Sequence, residues 1–170
     1  MISWQKIRFL CSLIPFILLV SCDYKLRDTS SGLYDVKTSL YYKESSINRD
    51  FLKVLEKVVS PKQIYKNKSF DDTDLTLKIL DHKITRYSAA LGLGARTTEA
   101  RIEYFLKINI ELTKQEKGVI LEIKDQSSYS FDESKILAIE QVENELKNKF
   151  FTNSISRINF SLLSLLDENS

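Results

Sequence analysis

Polar and apolar positions alternate along four stretches of the chain, 34–42, 75–87, 100–113 and 119–129. Because the side chains of a strand point alternately to its two faces, this two-residue period predicts half-buried strands. The third stretch is the clearest, since its even-numbered residues from 100 to 112 are all apolar or aromatic. One face of the predicted sheet must therefore be packed, and the other must be polar.

A helical period, with apolar residues every three or four positions, occupies residues 46–59. Ser45 or Ser46 is placed to accept a hydrogen bond from an N–H group of the first turn. Pro61 cannot continue the helix, because it lacks an N–H and pushes the residue before it out of helical geometry. The segment 64–69 that follows is too short to assign to a strand or a helix.

A second, longer helix is predicted from Asp132 to about residue 166, since the Asp132 carboxylate suits the positive end of a helix dipole. Its apolar spacing slips near 151–153, where we expect either a kink or a drift of the apolar stripe around the helix. Small residues around Gly92 and Gly94 indicate a hairpin connection. The order β-α-β-β-β-α predicts an α+β, two-layer sandwich, in which a four-stranded, mostly antiparallel sheet carries two helices on one face.

The N-terminus has the pattern of a lipoprotein signal peptide. A basic start precedes an apolar run at 10–20, which is shorter than the ~20 residues that a membrane-spanning helix needs. Leu19-Val20-Ser21-Cys22 fits the bacterial lipobox, in which a diacylglycerol is attached to the cysteine and the chain is cleaved before it. We therefore expect residues 1–21 to be removed and Cys22 to carry the lipid. The alternative is an uncleaved anchor with a chance cysteine.

Cleavage before Cys22 defines the rest of the organisation. Residues 22–33 are polar and contain Ser30-Ser31-Gly32, which suits a tether between the lipid and a folded domain at 34–166. Cys11 would leave with the signal peptide and Cys22 would be lipidated, so no thiol would remain for a disulfide.

Charge gives no reason to expect a nucleic-acid partner. The chain has 25 basic and 23 acidic residues, but two of the bases, Lys6 and Arg8, belong to the signal peptide, which has no acid. The mature part is therefore formally neutral, and the basic pI of the whole chain comes from the segment that is removed.

Catalytic chemistry has little support in the sequence. His82 is the single histidine and lies in a strand-like stretch, where we expect it to be partly exposed. A zinc site built from histidine and cysteine is not available, and no clustered acids or base–nucleophile pair suggest an active site. We expect a protein that is not an enzyme, with no catalytic residue, no metal and no cofactor.

Several stretches of the mature chain resemble the LPS-assembly lipoproteins of the LptE family. Their order, spacing and length carry the likeness, which extends over most of the mature chain. The matching stretches are Cys22-Asp23-Tyr24-Lys25-Leu26-Arg27, Arg101-Ile102-Glu103-Tyr104-Phe105-Leu106, Tyr129-Ser130-Phe131-Asp132, and Leu137-Ala138-Ile139-Glu140 with Glu143 and Leu146.

The resemblance implies a partner rather than a reaction. Proteins of this family bind inside or against the outer-membrane β-barrel LptD, help it assemble, and help to deliver lipopolysaccharide to the outer leaflet. Some members also bind lipopolysaccharide through basic residues at one end of the sheet and near the start of the last helix. The resemblance therefore implies a lipid-anchored protein on the periplasmic side of the outer membrane.

Two positions depart from the family pattern. Where members have a lysine just after Leu-Ala, this chain has Ile139, and Lys135, one turn earlier, is the expected substitute for contact with lipopolysaccharide. Asp23, directly after the lipidated cysteine, retains lipoproteins in the inner membrane in some bacteria, so the inner membrane is the alternative destination.

Basic residues near the Gly92–Gly94 connection and on the polar strand face are candidates for contacting a phosphate of lipopolysaccharide, because charge-assisted hydrogen bonds are strong. These residues are Arg96, Arg101 and Lys107. The ordinary alternative, which we favour for any single residue, is ion pairing across strands with Glu99, Glu103 or Glu111.

Phe105 is the one apolar residue on the otherwise polar face of its strand, between Glu103 and Lys107. We expect it to contact a partner. The leading hypothesis is thus a protein that binds the LptD barrel. The second is a periplasm-facing lipoprotein accessory to another lipid-transport system, which would need an apolar cavity between helices and sheet.

Overall fold

A computed structural model describes residues 32–34, 36–67, 73–113 and 117–167 of this chain. The predicted signal peptide, the lipidation of Cys22 and nearly all of the predicted tether lie outside the described residues. No helix within those four ranges is long and apolar enough to cross a membrane.

One mixed sheet of five strands forms the first layer, in the spatial order β2-β1-β3-β4-β5. Strand β1 is parallel to both β2 and β3, whereas β3, β4 and β5 form an antiparallel meander. The strands are β1 Thr38–Tyr41, β2 Ile64–Lys66, β3 Leu75–Leu91, β4 Thr97–Leu112 and β5 Lys117–Ser130. Two helices, α1 Ser46–Val58 and α2 Ile136–Asp167, form the second layer on one face of the sheet.

The predicted α+β class with two helices is confirmed, but the sheet has five strands rather than four and is mixed rather than mostly antiparallel. The unassigned segment after Pro61 contains β2, which pairs in parallel with β1 through Thr38 and Ile64. A parallel pair needs a crossover, and α1 supplies it between the two strands. The first strand is also shorter than predicted, because Val36 precedes it and packs against the core from an irregular segment.

Helix α1 confirms the prediction for 46–59 to within one residue. The Ser45 hydroxyl accepts a hydrogen bond from the Asn48 N–H at 3.2 Å, which satisfies a donor that the first turn leaves open. At the other end the Val59 N–H donates to the Leu55 carbonyl, and the chain turns away before Pro61. The amphipathic face buries Phe51 and Leu55 against the sheet.

A bulge in strand β3 changes which of its residues, odd-numbered or even-numbered, face the core. Leu75 and Leu77 point into the core, but the pairing with β4 shifts between Ile79 and Asp81. The extra residue leaves Leu80 52% exposed. Beyond it the inward positions are even-numbered, which turns the side chain of His82 towards the helices.

Helix α2 runs without a break over 32 residues and continues through the point near 151–153 where we expect a kink or a drift of the apolar stripe. Phe150 and Phe151 are adjacent in sequence and both buried, which fits a drift of the stripe around the helix. Asp132 caps a short 3-10 turn, Glu133–Lys135, rather than the helix itself; its carboxylate accepts from the Ser134 N–H at 3.0 Å.

The core lies between β4 and the two helices. The even-numbered residues of β4 from 102 to 112 are all buried, as the alternation predicts. They meet Phe51 of α1 and Phe151 of α2, whose rings contact each other edge to face with centroids 5.6 Å apart. Cover by the helices thins towards the β3–β4 turn, where Leu137 in the first turn of α2 is 79% exposed.

Candidate functional site

The helices leave one face of the β3–β4–β5 meander bare, and we call this the outer face. Its side chains stand in rows, because residues directly opposite on neighbouring strands share a face. From the middle of the sheet towards the β3–β4 turn the rows are Asp81–Lys107–Glu122, Lys83–Phe105–Lys124, Thr85–Glu103–Gln126 and Tyr87–Arg101–Ser128. The outer face is thus an ordered array of charges with one aromatic ring near its centre.

Phe105 is half-buried, although the nearest residues of β4 on the same face, Glu103 and Lys107, are both charged. The cover comes from the flanking strands: Lys83 Nζ lies 4.9 Å and Lys124 Nζ lies 5.6 Å from the centre of the Phe105 ring. Ammonium groups at such distances are attracted by the ring face, and their methylene stems cover its edges. A concave surface of about 700 Å³ lies beside this ring, with Glu103 and Gln126 on its wall.

Lys107 forms an ordinary cross-strand ion pair. Its Nζ lies 2.8 Å from Glu122 Oε1, and the hydrogen bond and charge of Lys107 hold the pKa of Glu122 below its usual range. Lys107 thus pairs across strands, but its partner is Glu122 of β5 and not one of the expected acids Glu99, Glu103 and Glu111. Glu111, one of the expected partners, instead pairs with Lys78 at 2.9 Å.

Arg101 also has an acidic neighbour, but along its own strand. Its Nη2 lies 3.0 Å from Glu103 Oε1, and its guanidinium lies 5.9 Å from the centre of the Tyr87 ring. The pairing with Glu103 is as predicted, whereas its direction along β4 is not. Arg101 remains half-exposed at the turn end of the outer face.

Arg96 lies nine residues before Phe105, roughly 30 Å away at the rise of a strand, and Lys135 lies in the 3-10 turn that follows β5. Arg96 is exposed directly after the 3-10 turn Leu93–Ala95, and its carbonyl accepts from the Gly92 N–H at 2.8 Å. Lys135 pairs with Asp132 at 3.2 Å. The structure therefore brings Arg101, Phe105 and Lys107 onto one face and keeps the other two candidates apart from its centre.

A cluster that sequence reasoning missed ties the exposed start of α2 to the sheet. Glu143 Oε1 accepts from Arg86 Nη1 at 3.1 Å and from the Tyr129 hydroxyl. Burial, followed by the hydrogen bond to Glu143, raises the pKa of Tyr129 to about 12. The Arg86 guanidinium also lies 5.6 Å from the centre of the Phe131 ring. The family resemblance includes Tyr129 and Glu143, but nothing in the sequence places them against Arg86.

His82 is partly exposed as predicted, but it is a packing residue of the inner face. Its ring contacts Phe51 and Tyr104 edge to face. The Asn48 amide donates to the Lys43 carbonyl at 2.7 Å, so Asn48 Oδ1 faces His82 Nδ1 at 2.6 Å as an acceptor. His82 Nδ1 therefore carries the proton, and Nε2 is buried without a partner among the described residues.

This buried environment disfavours the protonated, positively charged form of the His82 imidazole. Burial lowers the pKa of His82 to about 4, and the negative charge of Asp81 opposes this shift without cancelling it. Within the part of the chain that the structure describes, no group of three histidine, cysteine, aspartate or glutamate side chains is placed to hold a metal ion.

The fold is similar to that of solved bacterial lipoproteins. Rare lipoprotein B from Shewanella oneidensis matches with a TM-score of 0.57 at 16% identity, over 77% of this chain and 96% of that one. A putative lipoprotein from Caulobacter crescentus matches with a TM-score of 0.53 at 12% identity, over 84% and 97%. Lipoprotein B from Nitrosomonas europaea matches with a TM-score of 0.53 at 13% identity, over 72% and 79%.

No protein-family profile matches the sequence, and no curated protein matches it. What this chain shares with the three lipoproteins, over most of its length, is therefore an α+β fold.

Proposed function

We propose that this chain is a lipoprotein of the outer membrane, anchored through Cys22, which binds the LptD β-barrel, assists its assembly and assists delivery of lipopolysaccharide to the outer leaflet. The observation that carries the proposal is the outer face: a bare, ordered array of charges with Phe105 near its centre. The family resemblance of the sequence and the fold shared with bacterial lipoproteins support it.

The outer face suits contact with a protein better than contact with solvent alone. Its charged side chains are already held in ion pairs, across strands in Lys107–Glu122 and along one strand in Arg101–Glu103, so less side-chain entropy is lost when a partner covers them. Phe105 offers apolar area at the middle of the array, and aromatic residues at the centre of an interface contribute most to binding. A sheet face built in this way can pack against the wall of a barrel without rearranging.

The second hypothesis, a lipoprotein accessory to another lipid-transport system, finds less support. It needs an apolar cavity between the helices and the sheet. That space is filled in the described part of the chain, where Leu106, Ile108 and Ile110 are fully buried against the helices. A lipid chain would have to displace this core to bind there.

The proposal is tested by replacing Phe105 with alanine in the lipidated protein in cells and measuring how much barrel co-purifies. We expect Phe105→Ala to reduce recovery of the barrel by an amount equivalent to about 2 kcal/mol of binding free energy, because truncating a central aromatic removes buried area. Arg101→Glu should reduce it less, since Arg101 lies nearer the edge of the array.

Phe160→Ala is the matched control, because Phe160 is an aromatic residue of α2 that is 64% exposed and lies away from the outer face. It should leave recovery unchanged, and circular dichroism should show all three variants folded. Barrel levels with Phe105→Ala equal to those with Phe160→Ala would contradict the proposed contact. Failure of the native protein to recover any barrel would overturn the proposed function.

A further inference from the structure

We infer that the row Lys83–Phe105–Lys124 recognises a carboxylate side chain of the partner protein, placed beside an apolar group that packs on Phe105. This inference rests on the proposed function, because it specifies the chemistry of the partner at the same outer face.

The two lysines converge on the middle strand instead of spreading into solvent. Lys83 is opposite Phe105 on β3, and Lys124 is opposite it on β5. Backbones on either side of a middle strand are about 10 Å apart, yet both ammonium groups lie within 6 Å of the same ring centre. A carboxylate of a partner that lies above Phe105 would therefore have an ammonium group on each side, from Lys83 and from Lys124.

Both ammonium groups are available to such a partner. The side chains of Lys83 and Lys124 are 60% and 72% exposed. Their present acidic neighbours are two residues away on the same strand: Asp81 lies 3.3 Å from Lys83 Nζ, and Glu122 lies 3.9 Å from Lys124 Nζ. Exposed pairs of this kind contribute little to stability, so a carboxylate held in a desolvated interface can replace them.

The charges around this row favour a protein, rather than a lipid with several negative charges, as the molecule that binds there. The neighbouring row presents Asp81 and Glu122 on either side of Lys107, and Glu103 lies in the row on the other side. The three rows are formally neutral together, so they attract no molecule that carries several phosphates. They do match a protein surface on which one acid faces the Phe105 row and basic groups face Asp81 and Glu122.

The test is the double reversal Lys83→Glu with Lys124→Glu, and the milder pair Lys83→Gln with Lys124→Gln, in the lipidated full chain. The matched control reverses Lys53 and Lys149, two exposed helix residues, and changes the net charge by the same amount. Recovery of the barrel and binding of purified lipopolysaccharide are measured for each, and circular dichroism confirms the fold.

We expect the reversal at Lys83 and Lys124 to reduce recovery of the barrel at least about tenfold, the glutamine pair to reduce it less, and the control to change it less than twofold. Lipopolysaccharide binding should not change in any variant. Two results overturn the inference while leaving the proposed function standing: barrel recovery equal to the control, or a parallel loss of lipopolysaccharide binding, which would assign the row to lipid phosphates. Native protein that recovers no barrel overturns both.

Discussion

The two faces of β4 have opposite constructions. The inner face is buried and nearly all apolar from Ile102 to Leu112, and its one polar group, the Tyr104 hydroxyl, accepts a hydrogen bond from Ser154. The outer face alternates charges around a single aromatic ring, and each charge lies within reach of an opposite one. One strand thus serves as the structural centre of the domain and as its most ordered surface. Changes on the inner face should alter folding, and changes on the outer face should alter binding.

Ile108→Ala should have the largest effect on stability. Ile108 lies on the inner face of β4 and is fully buried. Its truncation therefore loses buried apolar area and leaves a cavity. We expect the free energy of unfolding to fall by about 2–5 kcal/mol. Urea unfolding followed by circular dichroism measures this loss.

The neighbouring variant Asn109→Ala is the control for Ile108→Ala, because Asn109 is the next residue and points to the outer face. It loses the hydrogen bond from Asn109 to Glu111, so the loss of stability should be only about 1 kcal/mol. If the two variants unfold at the same urea concentration, the assignment of inner and outer faces is wrong.

His82 makes the stability contributed by the inner face depend on pH. Its folded-state pKa is lowered to about 4, whereas an ordinary histidine titrates near 6.5. The unfolded chain therefore binds the proton more readily, so the contribution is complete above about pH 6.5 and is lost as the pH falls towards 4. The loss should amount to roughly 2–3 kcal/mol at the acidic end.

Comparison of the native chain with His82→Gln isolates this effect, because carboxylate titrations are common to both. Glutamine can still donate to Asn48, so the variant should show a constant difference in stability above pH 7 and a smaller slope between pH 6.5 and 4. Equal slopes in this interval would show that His82 titrates as an exposed residue.

Lys107→Ala should have the smallest effect, although Lys107 forms a well-aligned ion pair with Glu122. Exposed pairs contribute about 0.2–1 kcal/mol, and salt screens them. We expect a loss of stability below about 1 kcal/mol that shrinks further in 1 M salt. A larger, salt-independent loss would mean that the outer face supports the fold as the inner face does.

Local patterns predicted those parts of the fold in which near neighbours in sequence are also near neighbours in space. The boundaries of α1 follow from a serine cap and a proline, and the inner face of β4 follows from strict alternation. Strand β2 could not be predicted in this way, because three residues carry no period and its partner lies 26 residues earlier in the chain. The bulge in β3 could not be predicted for a related reason: it is defined by how β3 pairs with β4.

The features of the candidate site can be divided in the same way, into those that follow from local sequence patterns and those that depend on strand pairing. The sequence by itself determined that Arg101, Phe105 and Lys107 share a polar strand face, because a two-residue period fixes which side chains lie together. Only the tertiary structure decided that Lys83 and Lys124 flank Phe105, that Glu122 pairs with Lys107, and that His82 faces the core. Those relationships depend on how distant strands pair, including the register shift between Ile79 and Asp81, and the spacing of residues along one strand does not specify which residue of another strand lies opposite.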